Sequence, residues 1–447
     1  MKDPIGKAYL IKGGFVMDPA NDREGKADIL IADGLVAGVE NEIDEAALRG
    51  EYKNAEKLSG QKISLEVIDA TGLYVTPGFV DVHSHFRDPG FTEKEDIYSG
   101  AKAAAAGGYT SVILMANTKP AIDNEEQFKL VQKRCDAQDI HVYQAAAVTL
   151  NRAGEKLVDM EALVKAGVKG FTDDGSPIMD EQLVISAMKE ASVLKVPLSF
   201  HEEDGAYIGV AGVNEGEASG RLGIKGADRE AEIVMVKRDL ELALKYDCKI
   251  DIQHVSAKES VELIRKAKKK DKKGLIHAEA TPNHFSLTEA AVEKYGTNAK
   301  INPPLRTEED RQAIVEGLAD GTIDMIATDH APHTKKEKAA DEFGKAPSGI
   351  LGLETALSLS VKNLIQPGKL SVSEFVKRIS LSPSELYSLE AGRIDIGRPA
   401  DITIFSTDEE TTYKKFNSKS ENSPFLGEKL PGKVKYTIAG GVIVYKA

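Results

Sequence analysis

The chain has 447 residues, 41% of them hydrophobic and 29% charged, which is the balance of an ordinary globular protein with a large core. Its formal net charge of −13 argues against nucleic acid and against an anionic membrane surface as partners. The 2 cysteines are too few for a disulfide framework and indicate a reducing, cytoplasmic compartment, and no apolar run approaches membrane-spanning length.

Both ends of the chain have the pattern of β-hairpins. Apolar and polar residues alternate around glycine turns in AYLIKGGFVMD and ADILIADGLVAGVE, and again in GRPADITIFST and KVKYTIAGGVIVYKA. The charged run at 40–57 between them is typical of a solvated helix or loop. We therefore predict one small β domain that is built from both termini, residues 1–65 and 395–447.

The middle of the chain, residues 66–394, alternates short apolar strands with helical stretches such as EDIYSGAKAAAAGG. The candidate strands are YVTPGFVDVH, TSVILMAN, IHVYQAAAV, VKGFTDD, VPLSFHEE, CKIDIQHVS, LIHAEATPNH and DMIATDH. Strands that alternate with helices favour a parallel sheet. Eight such units predict an α/β protein with a (β/α)8 TIM-like barrel as its catalytic domain.

The first of these strands carries His83, His85 and Arg87 at alternate positions, after a start signal at Pro77-Gly78. Residues i and i+2 of a strand lie on one face, so the three side chains project together. Two imidazoles on one face can share a metal ion, but they can equally be histidines packed against their neighbours. The other strand ends decide between these interpretations.

Barrel active sites lie at the carboxyl ends of the strands. The later strands end on chemically active side chains: Asn117, Asp173 with Asp174, His201, His254 and Asp329, with His333 just beyond. Of the 9 histidines in the chain, four thus meet two aspartates at one mouth. Imidazole and carboxylate ligands without cysteine suit catalytic zinc, and this many ligands fit two ions. Two ions that share a water indicate a hydrolase.

The remaining histidines have less distinctive positions. His141 and His277 stand near strand starts and are interpreted as structural, His284 could support the ligands from behind, and His330 would point away from its neighbour Asp329. The polar segment at 333–349 has no apolar period, so it reads as a long loop that could close over a substrate.

Taken together, the motifs DVHSHFRDPG, MANTKP, FTDDGSP, INPPLR and IATDHAPHT resemble the amidohydrolase superfamily, and within it the class I dihydroorotases. The resemblance covers nearly the whole chain, including the closing NSPFLGEKLPGKVKYTIAGGVIVY. It implies the reversible interconversion of dihydroorotate and N-carbamoyl-L-aspartate in pyrimidine synthesis. A zinc-bridging hydroxide would attack the ring amide, and Asp329 would be the general acid/base.

The resemblance also implies a set of site residues. His83 and His85 with Asp329 would bind a first zinc, and His201 with His254 a second. Asp174 would bridge the two ions, although Asp173 or a carboxylated Lys169 remain alternatives for the bridge. The substrate-binding residues implied by the family are Arg87, Asn117, Asn302, His333, Pro347 and Ser348.

Two other functions remain open at this stage. A sister cyclic amidohydrolase of the allantoinase or dihydropyrimidinase type would share the metal ligands, but Arg87 favours a substrate with a carboxylate. A non-catalytic relative would serve as a partner of aspartate transcarbamoylase. The resemblance further implies a homo-oligomer, a dimer, which could bind that partner while active.

Overall fold

The computed structural model describes residues 6–59, 63–340 and 342–447. The first residues of the predicted β domain, 1–5, lie outside the described part of the chain. The chain is a mixed α/β protein. Among the described residues, no helix is both long and apolar enough to cross a membrane.

The strands fall into a group from the two termini and a group from the middle. In chain order they are β1 (Lys7–Asp18), β2 (Arg23–Ala32), β3 (Leu35–Glu40), β4 (Ser64–Asp69), β5 (Tyr74–Pro77), β6 (Phe79–Ser84), β7 (Tyr109–Leu114), β8 (His141–Gln144), β9 (Leu198–Phe200), β10 (Ile250–Ile252), β11 (Ile276–Ala280), β12 (Met325–Ile326), β13 (Ile402–Thr412), β14 (Lys429–Ala439) and β15 (Val442–Lys446).

The helices lie mostly between the middle strands. They are α1 (Glu45–Ser59), α2 (Ile97–Ala106), α3 (Glu125–Cys135), α4 (Met160–Ala166), α5 (Glu181–Leu194), α6 (Glu217–Leu222), α7 (Glu230–Tyr246), α8 (Lys258–Lys270), α9 (Pro282–Ser286), α10 (Ala290–Tyr295), α11 (Glu308–Asp320), α12 (Lys335–Lys338), α13 (Ala356–Ser360), α14 (Val372–Val376) and α15 (Ser382–Leu386). Several begin at side-chain caps that the sequence carries, such as Asp180 before α5 and Thr307 before α11.

The terminal strands form one sheet in the order β15-β14-β13-β5-β1-β2-β3, with β4 paired to β1. The hairpin of β2 and β3 turns at Asp33 and Gly34, whose φ angles of 47° and 86° suit a two-residue turn between twisted strands. Strands from both ends of the chain thus share one sheet, as the hairpin patterns predict. Its own apolar cluster includes Ile29, Val75 and Ile402.

The middle strands form two parallel sheets, β6-β7-β8 and β12-β11-β10-β9. Parallel bridges lie at their edges: Phe171 pairs with both Ala146 and Leu198, and Ser84 pairs with His330. The main hydrophobic core packs the helices against these sheets. All these strands run in the same direction, so their carboxyl ends lie at one edge.

Several predicted elements differ in detail. The stretch YVTPGFVDVH is not one strand, because β5 joins the terminal sheet and β6 begins the middle group. A side chain at Gly78 between them would collide with Thr110. The predicted strand VKGFTDD takes part only through bridges at Phe171. The predicted loop at 333–349 contains α12 and a 3-10 turn, Phe343–Lys345.

Candidate active site

The polar side chains at the carboxyl ends of the middle strands converge. His83 is the penultimate residue of β6, and His85 directly follows that strand. His201 directly follows β9, and His254 and Asp329 come just after β10 and β12. All five side chains are buried, and each is at most 8% exposed. His254 and Asp329 also have positive φ angles, 34° and 46°, a strained conformation that clusters at functional sites.

Two groups of potential metal ligands share Asp174. One comprises His83, His85 and Asp174, and the other comprises Asp174, His201 and His254. Asp174 Oδ1 lies 3.6 Å from His83 Nε2 and 3.5 Å from His201 Nδ1, while its Oδ2 lies 3.5 Å from His85 Nε2. A carboxylate in contact with both groups is in the position of a bridging ligand.

These separations fit ligands around an ion. Ligand atoms on a tetrahedral zinc, with bonds of about 2.0–2.1 Å, lie about 3.3–3.4 Å apart. His83 Nε2 is buried without a hydrogen-bond partner among the described residues, and it stands 3.6 Å from both Asp174 and Asp329. A buried ring nitrogen that faces two carboxylates without bonding to either is what a metal ligand requires. The residues present therefore fit a metal centre.

Further side chains fix which ring nitrogen faces this centre. His83 Nδ1 is 3.0 Å from Glu279 Oε2, and His85 Nδ1 is 3.0 Å from Asn117 Oδ1. Both rings thus turn Nε2 inward. His201 is reversed, because its Nε2 lies 2.9 Å from Glu203 and its Nδ1 faces the centre. Outer partners of this kind orient metal-binding histidines.

Charge in the cluster favours cations. Burial alone would lower the pKa of His83, but the carboxylates of Glu279 and Asp174 raise it well above its ordinary value. Burial would raise the pKa of Asp174, yet the close approach of His201 and His83 holds it well below its ordinary value. Burial and the neighbouring charge of His201 hold the pKa of His254 well below its usual value. The buried Asp174 carboxylate thus stays ionised and stabilises positive charge.

A cavity of about 190 Å³ opens over the cluster. It is lined by His85, Arg87, Asn117, Asp174, Gly175, His201, His254, Asn302, Asp329, Ala331, His333, Ser348 and Gly349. This volume suits a small ligand, since drug-sized ligands occupy about 300–1,000 Å³.

Arg87 presents its guanidinium to this cavity without an acidic partner. No carboxylate among the described residues lies within salt-bridge distance of it, and its Nε makes a long bond of 3.3 Å to the Pro332 carbonyl. His333 Nε2 is 2.9 Å from the Ser348 carbonyl and therefore carries a proton. It cannot also accept from Arg87 Nη2 at 3.4 Å, so the arginine fork remains available to a ligand.

The chain is similar to several known proteins. Residues 72–260 match the family model described as Dihydro-orotase-like. A dihydroorotase from Clostridioides difficile (strain 630) is 52% identical over 98% of this chain and 100% of the relative, and one from Clostridium acetobutylicum is 50% identical over 98% and 99%. The chain belongs to the dihydroorotase family. The solved L-hydantoinase (dihydropyrimidinase) from Arthrobacter aurescens shares the fold, with a TM-score of 0.84 at 24% identity over 98% of this chain and 96% of that one.

Most residues that the sequence singles out in this dihydroorotase-family chain line the cavity, with some exceptions. Pro347 does not line it; its carbonyl accepts from Lys338. Asp173 is bonded to the backbone of Val148 and Thr149, away from the ligand groups, which favours Asp174 as the shared carboxylate. His284 bonds to Thr281 and to the Pro303 carbonyl rather than to a ligand.

The structural histidines have the roles expected of them. His141 pairs with Asp401 of the terminal segment at 3.0 Å, and His277 bonds to the Gly274 carbonyl. His330 turns away from the cluster toward Glu95, with Nε2 and Oε2 3.5 Å apart.

The sequence patterns do not predict the residues that orient the histidines and hold the cavity wall in this dihydroorotase-family site. Glu279 and Glu203 orient ligands, and Asn422 holds the cavity wall by accepting from the His333 amide and donating to the Gly349 carbonyl. One signal for Glu279 was available: it is an acidic residue inside an otherwise apolar strand, LIHAEATPNH. Such a residue needs a partner when it is buried.

Proposed function

We propose that this chain is a metal-dependent dihydroorotase that interconverts dihydroorotate and N-carbamoyl-L-aspartate. One observation carries the proposal: a small cavity is lined by most of the shared-carboxylate ligand groups and by an arginine with no acidic partner among the described residues. The first suits amide hydrolysis, and the second suits a substrate that carries a carboxylate.

Two zinc ions are the proposed cofactor. His83, His85 and Asp329 would hold one ion, His201 and His254 would hold the other, and Asp174 would be the shared ligand. When bound, the ions lower the pKa of a water molecule and polarise the substrate carbonyl. The histidine and carboxylate donors are those that zinc prefers in catalytic sites.

The chain's own residues bind and orient the substrate. Arg87 takes the exocyclic carboxylate through its two-pronged fork, with Asn117 and His333 beside it. Asn302, whose Oδ1 is buried without a partner among the described residues, binds the ring. Ser348 completes the wall of the cavity, and Pro347 supports it from behind.

Asp329 moves the proton. It accepts a proton from the attacking water and delivers it to the ring nitrogen as the carbon–nitrogen bond breaks, and the same steps in reverse close the ring. Its Oδ1 lies 3.0 Å from His85 Nε2, so the carboxylate stands at the edge of the ligand cluster and faces the cavity.

Further proposals concern the architecture and the setting. The bridges at Phe171 and Ser84 support joining the two parallel sheets into one eight-stranded barrel. Residues 66–394 would form this catalytic domain, and residues 1–65 with 395–447 the β domain, although β5 extends that sheet to Pro77. Two free, buried cysteines support a cytoplasmic setting. A homodimer and an aspartate transcarbamoylase partner rest on the family resemblance.

The test is to assay zinc-loaded protein against dihydroorotate, hydantoin and allantoin in parallel. We expect turnover of dihydroorotate at an efficiency at least about 100-fold above the other two, since they lack the carboxylate that the half-buried Arg87 would select. Preference for hydantoin or allantoin would assign a sister activity. No turnover of any of them, with metal bound, would favour the non-catalytic relative.

A further inference from the structure

Two buried lysines lie behind the cavity wall that contains Ser348. Lys300 Nζ donates to the carbonyls of Phe343, Gly344 and Ala346 at 3.1, 3.3 and 2.5 Å. Lys338 Nζ donates to the carbonyls of Pro347 and Gly349 at 3.0 and 2.9 Å. The two ammonium groups therefore bind five of the seven carbonyls of the segment 343–349.

These ammonium groups are expensive to bury. Lys300 is 2% and Lys338 6% exposed, and neither forms a salt bridge with any described carboxylate. Burial, together with the charge of Lys300, lowers the pKa of Lys338 to about 7. A buried charge without a counter-ion is tolerated only where hydrogen bonds replace its water. Here the backbone carbonyls of a single segment supply those bonds.

The bound carbonyls flank the residue that meets the ligand. Ser348 lies between Pro347 and Gly349, and its own carbonyl accepts from His333 Nε2 at 2.9 Å. Lys338 holds the carbonyls on either side, so the peptide groups of Ser348 have one defined orientation toward the cavity.

The turn at Gly212 packs closely against both Ser348 and Lys300. A Cβ added at Gly212 would lie 2.3 Å from Ser348 Oγ and 2.7 Å from Lys300 Cγ. Gly212 has a φ of +76°, which favours glycine in any case. The wall is therefore held by a close-packed turn as well as by the two ammonium groups.

We propose that Lys338 and Lys300 are positioning residues for substrate binding, which hold the wall 346–349 in its ligand-binding conformation through its backbone carbonyls. This inference rests on the proposed function, because it assigns that wall to substrate contact. Neither lysine touches the metal ligands, and the wall binds substrate and transition state alike. Loss of the clamp should therefore raise KM far more than it lowers kcat.

The experiment replaces each lysine by methionine, which keeps the length and removes the donor. We expect Lys338→Met and Lys300→Met to raise the KM for dihydroorotate about 10- to 100-fold, with kcat within about threefold and bound zinc unchanged. The matched control is Lys335→Met, on the same helix, α12. The Lys335 side chain is 81% exposed and its one ion pair within the described residues is with Glu421, so the KM of this variant should stay at the wild-type value.

A merely structural role gives a different result. It predicts a lower melting temperature with a wild-type KM in the folded fraction, and that outcome would overturn the proposal. So would variants that match the Lys335→Met control in every measurement. A loss of zinc in step with activity would place the lysines in support of the metal centre and would equally overturn it.

Hydrogen–deuterium exchange keeps the proposal testable if neither variant folds. In wild-type protein without substrate, the amides of Lys345, Ala346 and Gly349, which donate to backbone carbonyls, should already be protected, and exchange at the rate of an unstructured peptide would overturn the clamp. The same measurement separates the two proposals. If wild-type protein fails to turn over dihydroorotate, the proposed function fails, while faster exchange of 343–349 in Lys338→Met would still establish the clamp.

Discussion

Arg87 gives the most direct test of substrate choice. Its side chain lines the cavity and, among the residues that the structure describes, donates only to the Pro332 carbonyl at 3.3 Å, so nearly all of its donor capacity is unused. Replacement by glutamine or lysine keeps a residue of similar size at a backbone position whose φ is 58°. Since any L-residue there bears the same backbone strain, the effect of the substitution comes from the side chain.

The expected loss follows from the bonds that the fork can form. Each hydrogen bond to a charged group contributes about 1.5–3 kcal/mol, and the bonds of one fork are not additive. We expect Arg87→Gln to cost about 2–5 kcal/mol of transition-state binding, or roughly 30-fold to several thousandfold in kcat/KM. Arg87→Lys should recover only part of this, because an ammonium lacks the planar fork.

The assay measures kcat/KM and bound zinc, first with dihydroorotate and then with a ring that lacks the carboxylate. The loss should appear with the first substrate and shrink with the second, at constant zinc content. Arg265→Gln is the control, since Arg265 forms a surface pair with Asp320. An equal loss on both substrates would mean that Arg87 maintains the site without recognising the carboxylate, and the reasoning would be refuted.

Four other predictions follow from the same geometry. Asp329→Asn should retain metal and lose nearly all turnover, and wild-type turnover in this variant would remove the proton-transfer role. Chelation should abolish activity and leave the far-UV circular dichroism unchanged, because the core is large enough to hold the fold without metal; global unfolding would contradict this. A product analogue should slow proteolysis within 333–349, and equal cleavage rates would exclude closure of this segment. The last concerns Lys338, whose folded pKa is about 7 against an ordinary 10.5. Between these values the unfolded chain binds more protons, so the stability of wild-type protein relative to Lys338→Met should rise with pH, by at most about 1.4 kcal/mol per unit, as urea unfolding would measure. A flat difference from pH 7 to 10 would disprove the shift.

The ligand cluster could be predicted because its signal is local. His83 and His85 are two apart on one strand, and each remaining ligand closes a short apolar run. A parallel arrangement brings such ends to one edge whatever the details of the helices. The family resemblance implies that Asp174 is the shared carboxylate, and in the structure Asp174 belongs to both groups of potential ligands.

The strand boundaries were harder to predict. An apolar run at 74–82 looks the same whether it belongs to one sheet or to two. The change of sheet at Gly78 depends on Thr110 and on the carbonyl of Asp401, and both are distant in sequence. The short β12 and the isolated bridges at Phe171 likewise depend on tertiary neighbours rather than on local propensity.

The orientation of the ligands also lies beyond local sequence patterns. A histidine ring is oriented toward a metal by the group that binds its second nitrogen. For His83 that group is the carboxylate of Glu279, which is 196 residues away in the sequence. The position of the cavity wall is harder still to predict from sequence, because lysines and an asparagine bind the wall through its backbone carbonyls. Every residue type has a backbone carbonyl, so the sequence of the wall does not indicate which residues bind it. The clustering of potential metal ligands can therefore be predicted from spacing, whereas the groups that set ring orientation and wall position are known only from the folded structure.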